Sequence, residues 1–542
     1  MSRRQILGID RWGSLPVLAI LLSAACSGSL STPPPTAGTT AARQEGATSK
    51  SRPDADETAG QDELGASRPE VVALPSPGSP LVAVRLMFAA GSIYDPQGKE
   101  GLAALTGLML AKAGTTGRSY SDLLESLYPM AVSIDVTTDR ETTTISAEVH
   151  SETLTGFTAL LTEALLRPAF AESDFRRNKQ QLEAFLLSTL RASNDELLGL
   201  EALEQMIFRD HPYGHAPAGT LAGLAAITIE DVRAFSESRF GRNSLTIGVA
   251  GGYPEKFPEG LAKTLSALPP GNGELAPLPI PATITGRHFT ILEKPTRSVG
   301  IHFGYPLPIN RSHADYYALM VANSFLGEHR TSHGRLMQQL REKRGLNYGD
   351  YSYIEYWHVP PFTNHPSPNV PRRQQFFSVW IRPVVPSTAH FALRNALYEV
   401  DRLITHGMSE EEFELTRSFL VNYSKLWAQT LADRLGFLMD SRFYGMDYYI
   451  DEVEERLSEL TVDDVNRAVR KYLHSDNFEA VIVADDAADI AEYLESEVPS
   501  PMVYNSEPGP GIREADAVIE RIPVRPAGIS TLPVAEIFES AN

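Results

Sequence analysis

One cysteine in 542 residues, Cys26, cannot close an intrachain disulfide, so nothing covalent cross-links this chain to itself. Basic residues are also scarce: 48 Lys and Arg stand against 68 Asp and Glu, a net charge of −20. That balance repels a polyanion, and no basic patch is segregated along the chain, which argues against nucleic-acid binding. The apolar run from Leu15 to Leu22 is too short to span a bilayer as a mature helix. There is no G-x-S-x-G nucleophile elbow and no G-x-x-x-x-G-K-[ST] phosphate loop, so acyl-transfer chemistry of the first kind and nucleotide chemistry of the second have no carrier.

The chain is too long for one core and implies two or three domains. Arg3 and Arg4, the Leu15–Leu22 run and Ser23-Ala24-Ala25-Cys26 read together as a targeting segment over residues 1–26. Small residues before a cysteine resemble the bacterial lipoprotein cleavage box, although Leu22 sits one place further upstream than that pattern prefers. Cys26 is therefore the expected lipidation site of an exported envelope lipoprotein, anchored at the outer membrane and facing the periplasm. The alternative is an ordinary cleaved signal with an incidental thiol. Ser2-Arg3-Arg4-Gln5-Ile6-Leu7 also resembles a twin-arginine export signal. Residues 27–68 hold Ser, Thr, Pro, Ala and Gly with almost no large apolar side chains, a composition that cannot repay the entropy of folding and reads as a tether.

From Val71 onward the pattern is that of a folded domain. Leu81 to Ala90 has strand length, a helix is expected from about Glu100 to Lys112, and another over Tyr120 to Leu127. Val132, Ile134 and Val136 alternate with polar residues, as do Ile145, Ala147 and Val149 after a Thr138-Asp139-Arg140 turn, which predicts a hairpin with one buried face. Helical periodicity follows to Phe208, Thr228-Ile-Glu-Asp231 forms a capping box, and Leu245 to Ala250 returns as a strand. A proline-rich connector covers 269–283. Beyond it the order repeats: Ile301-His-Phe-Gly304 echoes Leu86-Met-Phe-Ala89, Ser409 to Phe413 echoes Ala171 to Phe175, and Leu457 to Val465 echoes Leu224 to Val232. Such spacing is the duplication of a whole domain rather than a solenoid. Strands joined by hairpins and helices in runs predict two α+β lobes, 69–268 and 284–498, each a mainly antiparallel sheet packed with helices. Residues 499–542 form a tail with no assignable role.

Gly91-Ser92, Asp95-Pro96, Gly101-Leu102-Ala103, His211-Pro-Tyr-Gly214 and Arg341-Glu-Lys-Arg-Gly-Leu-Asn-Tyr348, in that order and spacing, resemble the pitrilysin/insulinase family of zinc peptidases over about residues 70 to 495. Active members of that family carry H-x-x-E-H directly after Gly-Leu-Ala, with two histidines on one helix face and a glutamate beside them to activate metal-bound water. In this chain those places are Ala104, Gly107 and Leu108, none of which binds zinc or accepts a proton. Glu183 stands where the family has its third ligand, but one carboxylate cannot hold zinc, and a solvated or paired helix carboxylate is the better reading.

Other metal sites are poorly supported. Glu328-His329 and His333 lie in a segment where helical geometry is doubtful, and no third ligand is evident. His358 and His365 fall in a proline-rich insertion, Val359 to Pro371, which with Arg372 and Arg373 reads as a surface loop, and His211 and His215 bracket a structural turn.

The resemblance also implies a role. In two-chain members one subunit carries zinc and the other has lost it, and the second supplies an arginine and a tyrosine seven residues apart. Arg341 and Tyr348 match that pair; a guanidinium and a phenol can donate to a peptide carbonyl. The alternative is a helix-end arginine and a strand tyrosine with no substrate role, and Arg344 is a substitute donor off the family register. The expectation is a non-catalytic subunit with no cofactor of its own. Its partner would be a catalytic subunit carrying H-x-x-E-H and zinc, its substrate a peptide or unfolded protein, and its membrane contact a lipid anchor. The second reading is a peptide-binding or scaffold lipoprotein with no part in proteolysis. A third, a metallopeptidase using other ligands, predicts stoichiometric zinc.

Overall fold

The computed structural model describes residues 68–357, 365–368, 371–504 and 506–540. The targeting segment, Cys26, nearly all of the tether, His358 and most of the 359–371 insertion lie outside the described residues. The described residues form one compact unit built of two sheet-plus-helix lobes.

The first lobe holds strands β1 (Glu70–Pro75), β2 (Leu81–Phe88), β3 (Asp135–Thr138), β4 (Thr143–His150) and β5 (Leu245–Gly251), in the order β1-β5-β2-β4-β3. Only β1–β5 is parallel; the other three pairings are antiparallel. β2 is the central strand and nearly continuous in apolar residues because both its faces are covered. The predicted hairpin is β3–β4, with Val136 opposite Ile145. Its tip, Asp139-Arg140-Glu141, is buried, against the solvent exposure that three charges in a turn suggest.

The second lobe holds β6 (Arg287–Glu293), β7 (Val299–Leu307), β8 (Asp350–Tyr353), β9 (Gln375–Val384), β10 (Phe478–Ala484) and β11 (Pro526–Pro533), in the order β11-β6-β10-β7-β9-β8. The duplication is visible in the helix starts. Thr228 accepts from the Asp231 amide while Asp231 reaches back to Thr228, and Thr461 with Asp464 repeats the arrangement before the matching helix. Each helix then leads to the matching strand, β5 in one lobe and β10 in the other.

The lobes cover each other reciprocally. The Asp195–Ile207 helix of the first lobe lies on β7 and β10, and the Leu431–Tyr444 helix of the second lies on β1 and β5. Close approach needs glycine at both crossings: Gly199 sits against His302, and Gly248 against Met439. Phe376, Val481 and Val483 of the second lobe belong to the same buried cluster as the core of the first.

The tail completes this joint. After the Ile512–Ile519 helix, β11 adds in parallel to the edge of the second sheet beside β6. The chain then crosses to the first lobe, where Leu221 N donates to Phe538 O at 2.9 Å and Ala222 N to Glu539 O at 2.8 Å. Arg191 Nε donates to Ile537 O at 2.8 Å, and Ile537 and Phe538 are buried in the first lobe's core. No helix among the described residues is long and apolar enough to cross a membrane.

Candidate functional site: the vacated zinc helix

The predicted catalytic helix spans Leu102–Ala111, and every residue in it is buried. Its start explains why the surrounding motif survives. Gly101 takes φ 104°, a left-handed conformation open to glycine, and a Cβ there would lie 2.9 Å from Ala218 O. Asp95 accepts from Gly101 N and Ala103 N, both at 2.7 Å, and so caps the helix from six residues upstream. His215 Nε2 lies 3.2 Å from Asp95 Oδ2, so the second end of the His211–His215 turn steadies the cap. Burial pushes the Asp95 carboxyl up, and its bonds to His215, Gly101 and Ala103 oppose the shift. His211 accepts from Tyr213 N at 3.0 Å and meets Pro279 O at 3.1 Å, a structural role.

On the helix face where metal would sit, Ala104 and Leu108 line a cavity of about 400 Å³ with Leu182, Phe185, Leu197 and Glu201. Gly107 faces the hairpin, whose Val136, Thr137 and Thr138 wall the same cavity. A Cβ there would meet Thr143 Cγ2 at 3.0 Å, Val136 Cγ2 at 3.2 Å and Thr138 Oγ1 at 3.3 Å. A side chain at 107 would meet the ends of these hairpin side chains, which would have to give by a few tenths of an ångström. Glu183, on the Glu172–Ala184 helix, is half-buried and does not line the cavity. Among the described residues no group of three or more His, Cys, Asp and Glu could hold a metal ion.

The cavity floor is charged in a way sequence reading missed. Arg372 holds Asp139 with two hydrogen bonds, Nε–Oδ2 2.7 Å and Nη2–Oδ1 2.6 Å, and donates to Glu204 Oε2 at 2.7 Å. Arg140 Nη2 lies 3.1 Å from Glu204 and 3.4 Å from Glu201, and Arg373 Nε donates to Glu141 at 2.6 Å. Three arginines thus face four carboxylates. Burial, with Glu204 alongside, pushes the Glu201 carboxyl up to about 7. Burial would raise Asp139 too, but the Arg372 pair outweighs it and holds that carboxyl below its usual range. The expected surface loop at Arg372 and Arg373 is therefore corrected: Arg372 is wholly buried, its guanidinium 3.5 Å from the Tyr356 ring centroid, and it ties the two lobes together.

Arg341 and Tyr348 lie away from this cavity. Arg341 ends an irregular helix, Met337–Glu342, with its Nη1 3.3 Å from Glu342 Oε1 and a side chain two-fifths exposed. Tyr348 is 80 % exposed, and no hydrogen bond joins the two among the described residues. Arg344 is not a free donor, because its Nε donates to Asp516 Oδ1 on the tail helix at 2.8 Å. His329 is buried with Nδ1 2.7 Å from the Tyr353 hydroxyl, whereas His333 is exposed, and the segment between them is a turn; they share no helix face.

Two family models match this architecture: "Insulinase (Peptidase family M16)" over residues 70–220 and "Peptidase M16 inactive domain" over 226–420. The chain belongs to peptidase family M16, the pitrilysin/insulinase family, and lacks the family's zinc motif. It is similar to the "Non-peptidase homolog YmxG" of Helicobacter pylori, 23% identical over 76% of this chain and 90% of that protein. It is also 23% identical to an "Uncharacterized zinc protease" of Rickettsia bellii over 74% of this chain and 92% of that one. Among solved structures, a peptidase M16 inactive domain from Pseudomonas fluorescens superposes with a TM-score of 0.66 at 24% identity, covering 76% of this chain and 94% of that one. The tail from 499 onward lies beyond the family matches.

Proposed function

We propose that this chain is the non-catalytic subunit of a two-chain M16 zinc peptidase, contributing Arg341 and Tyr348 to a substrate chamber shared with a subunit that carries H-x-x-E-H and zinc. The observation that carries this reading is the pairing of an intact, well-capped helix with an apolar wall at Ala104 and Leu108 and a side-chain-free Gly107 where the base would stand. The scaffold for hydrolysis is kept and its reagents are gone. The exposure of Arg341 and Tyr348 supports a role toward something outside this chain, since neither is consumed by an internal carboxylate network as Arg344 and Arg372 are. Their N–H and O–H groups would donate to a peptide carbonyl and orient it toward the partner's metal. An anchor at Cys26 and the tether would hold the pair at the envelope membrane, facing the periplasm.

The test mixes the purified chain with a candidate H-x-x-E-H partner and a peptide substrate. The pair is expected to cleave faster than the partner alone, and Arg341→Ala with Tyr348→Ala to remove the gain. No gain on mixing sinks the proposal. A peptide-binding or scaffold lipoprotein is the second reading, favoured by the separation of Arg341 and Tyr348 from the cavity. It predicts a self-sufficient monomer or homodimer on gel filtration with no co-purifying peptidase. Stoichiometric zinc in the purified chain would contradict both.

A further inference from the structure

The cavity beside the vacated zinc helix carries more negative charge than its own network absorbs. Of the four carboxylates that meet three arginines there, three are matched. Asp139 takes two hydrogen bonds from Arg372, and Glu204 accepts from Arg372 at 2.7 Å and lies 3.1 Å from Arg140 Nη2. Glu141 accepts from Arg373 at 2.6 Å and from the Tyr213 hydroxyl. Glu201 is left over. Its one partner among the described residues is Arg140 Nη2, 3.4 Å from Oε2, and that nitrogen stands closer to Glu204. The other oxygen, Oε1, accepts no hydrogen bond and opens on the cavity that Glu201 lines, whereas Glu204 Oε1 is sealed away from it.

A carboxylate more than nine-tenths buried and short of counter-charge is a receptor for a cation. Burial, with Glu204 beside it, holds its carboxyl up at about 7 against the pull of Arg140 and Arg372. The walls around it are mostly apolar, with Ala104, Leu108, Leu182 and Leu197 among them. Phe185, exposed on the same wall, adds an aromatic ring that favours a cation over a neutral group. Thr137 and Gln181 supply further side-chain oxygens. A ligand with a long apolar stem and a charged head suits such a cavity, its methylenes on the walls and its charge at the carboxylate. With one oxygen free, Glu201 offers a guanidinium no two-point grip, and a compact ammonium is the better match.

We propose that this cavity binds an alkylammonium group, the side chain of a lysine in a peptide, with its nitrogen on Glu201 Oε1 and its stem along Ala104, Leu108 and Leu182. The site needs neither a partner subunit nor Arg341 and Tyr348, so this proposal and the function proposed above fail separately.

The purified chain is titrated calorimetrically with blocked pentapeptides that are alanine except for a central lysine, norleucine, arginine or glutamate, and with n-pentylamine, which carries the same ammonium without a peptide. The lysine peptide is expected to bind one to one, on the order of tenfold more tightly than the norleucine peptide, the gain of a charge-assisted hydrogen bond. It is also expected to bind more tightly than the arginine peptide and pentylamine, with no saturable binding of the glutamate peptide. Glu201→Gln keeps the shape and removes the charge, and is expected to bring the lysine peptide down to the affinity of the norleucine peptide. Ala104→Phe, which fills the cavity and leaves Glu201 in place, is expected to abolish binding of both. Equal affinity for the lysine and norleucine peptides, tighter binding of the arginine peptide or of pentylamine than of the lysine peptide, or unchanged lysine-peptide binding in either folded variant overturns the proposal.

Discussion

Arg372 and Asp139 stand 233 residues apart in the chain and meet in a two-point ion pair, 2.7 and 2.6 Å, with both side chains buried at the joint of the lobes. Each half alone would be an uncompensated charge in a low-dielectric interior. The pair therefore makes the docked arrangement of the lobes the state in which neither charge is left unpaired.

Replacing Arg372 with Met leaves Asp139 and one oxygen of Glu204 without their main donor. The expected loss is about 3–5 kcal/mol, the usual result of removing one partner of a buried pair. Asp139→Asn should cost less, and the double variant less than the sum of the two, because the groups share one interaction. Denaturant midpoints for the three variants measure this; additive losses would show that Arg372 acts through packing on Tyr356 instead.

Stability should fall as pH rises from about 4.5 to 7. Glu201 is raised to about 7 by burial and the neighbouring Glu204, and Glu328 to about 7 by burial. A carboxyl whose folded pKa exceeds its unfolded value binds more protons in the native state across that window, so deprotonation favours unfolding. Above about pH 7 the full cost is present. Glu201→Gln should be more stable than the parent at pH 8, on the order of 1–3 kcal/mol, and should show no such gain at pH 4.5. Thermal melts at the two pH values decide it; an equal difference at both would assign the effect to packing.

Much of this was legible in the sequence. The strand β2, the β3–β4 hairpin, the Thr228 and Thr461 capping boxes and the repeat all rest on local spacing, which one sequence displays. The loss of the zinc motif is a property of the sequence itself, since Ala104, Gly107 and Leu108 lack ligating or proton-accepting atoms. Glu201 was not: a charged residue on a helix reads as a solvent face until the second lobe is laid over it. Arg372 beside a proline-rich insertion reads as loop for the same reason. The tail escaped because Pro526-Ala-Gly-Ile-Ser-Thr-Leu-Pro533 has poor strand composition. Proline at both ends and glycine within are tolerated only because β11 is an edge strand.

Gly107 is the position at which restoring the peptidase motif should be resisted. A Cβ would lie 3.0–3.3 Å from side-chain atoms of Thr143, Val136 and Thr138, so these side chains must give by a few tenths of an ångström even for Ala. Gly107→Ala should cost about 1–3 kcal/mol through overpacking, and Gly107→Glu more. Ala104→His and Leu108→His, which open onto the cavity, should be tolerated better. Melting temperatures rank the variants. A Gly107→Glu variant as stable as the parent would mean that these side chains yield freely.

The tail should behave as a strap between lobes. β11 is paired to β6 of the second lobe through Ile529–Phe289 and Thr531–Ile291, while Ile537 and Phe538 are buried in the first. Arg191 fixes the far end, with Nε on Ile537 O at 2.8 Å and Nη1 3.0 Å from Glu539. Phe538→Ala empties a buried aromatic site and should cost about 3–5 kcal/mol. Ending the chain after Pro533 removes the same plug but keeps β11, so the second lobe should retain its sheet. The first lobe then loses the partners of Leu221 N, Ala222 N and Arg191. Amide exchange should rise around 191 and 221–222 in both variants and stay unchanged along β6. Increased exchange at β6 in Phe538→Ala would show that the lobes and the tail unfold as one unit and that the strap has no separable first-lobe end.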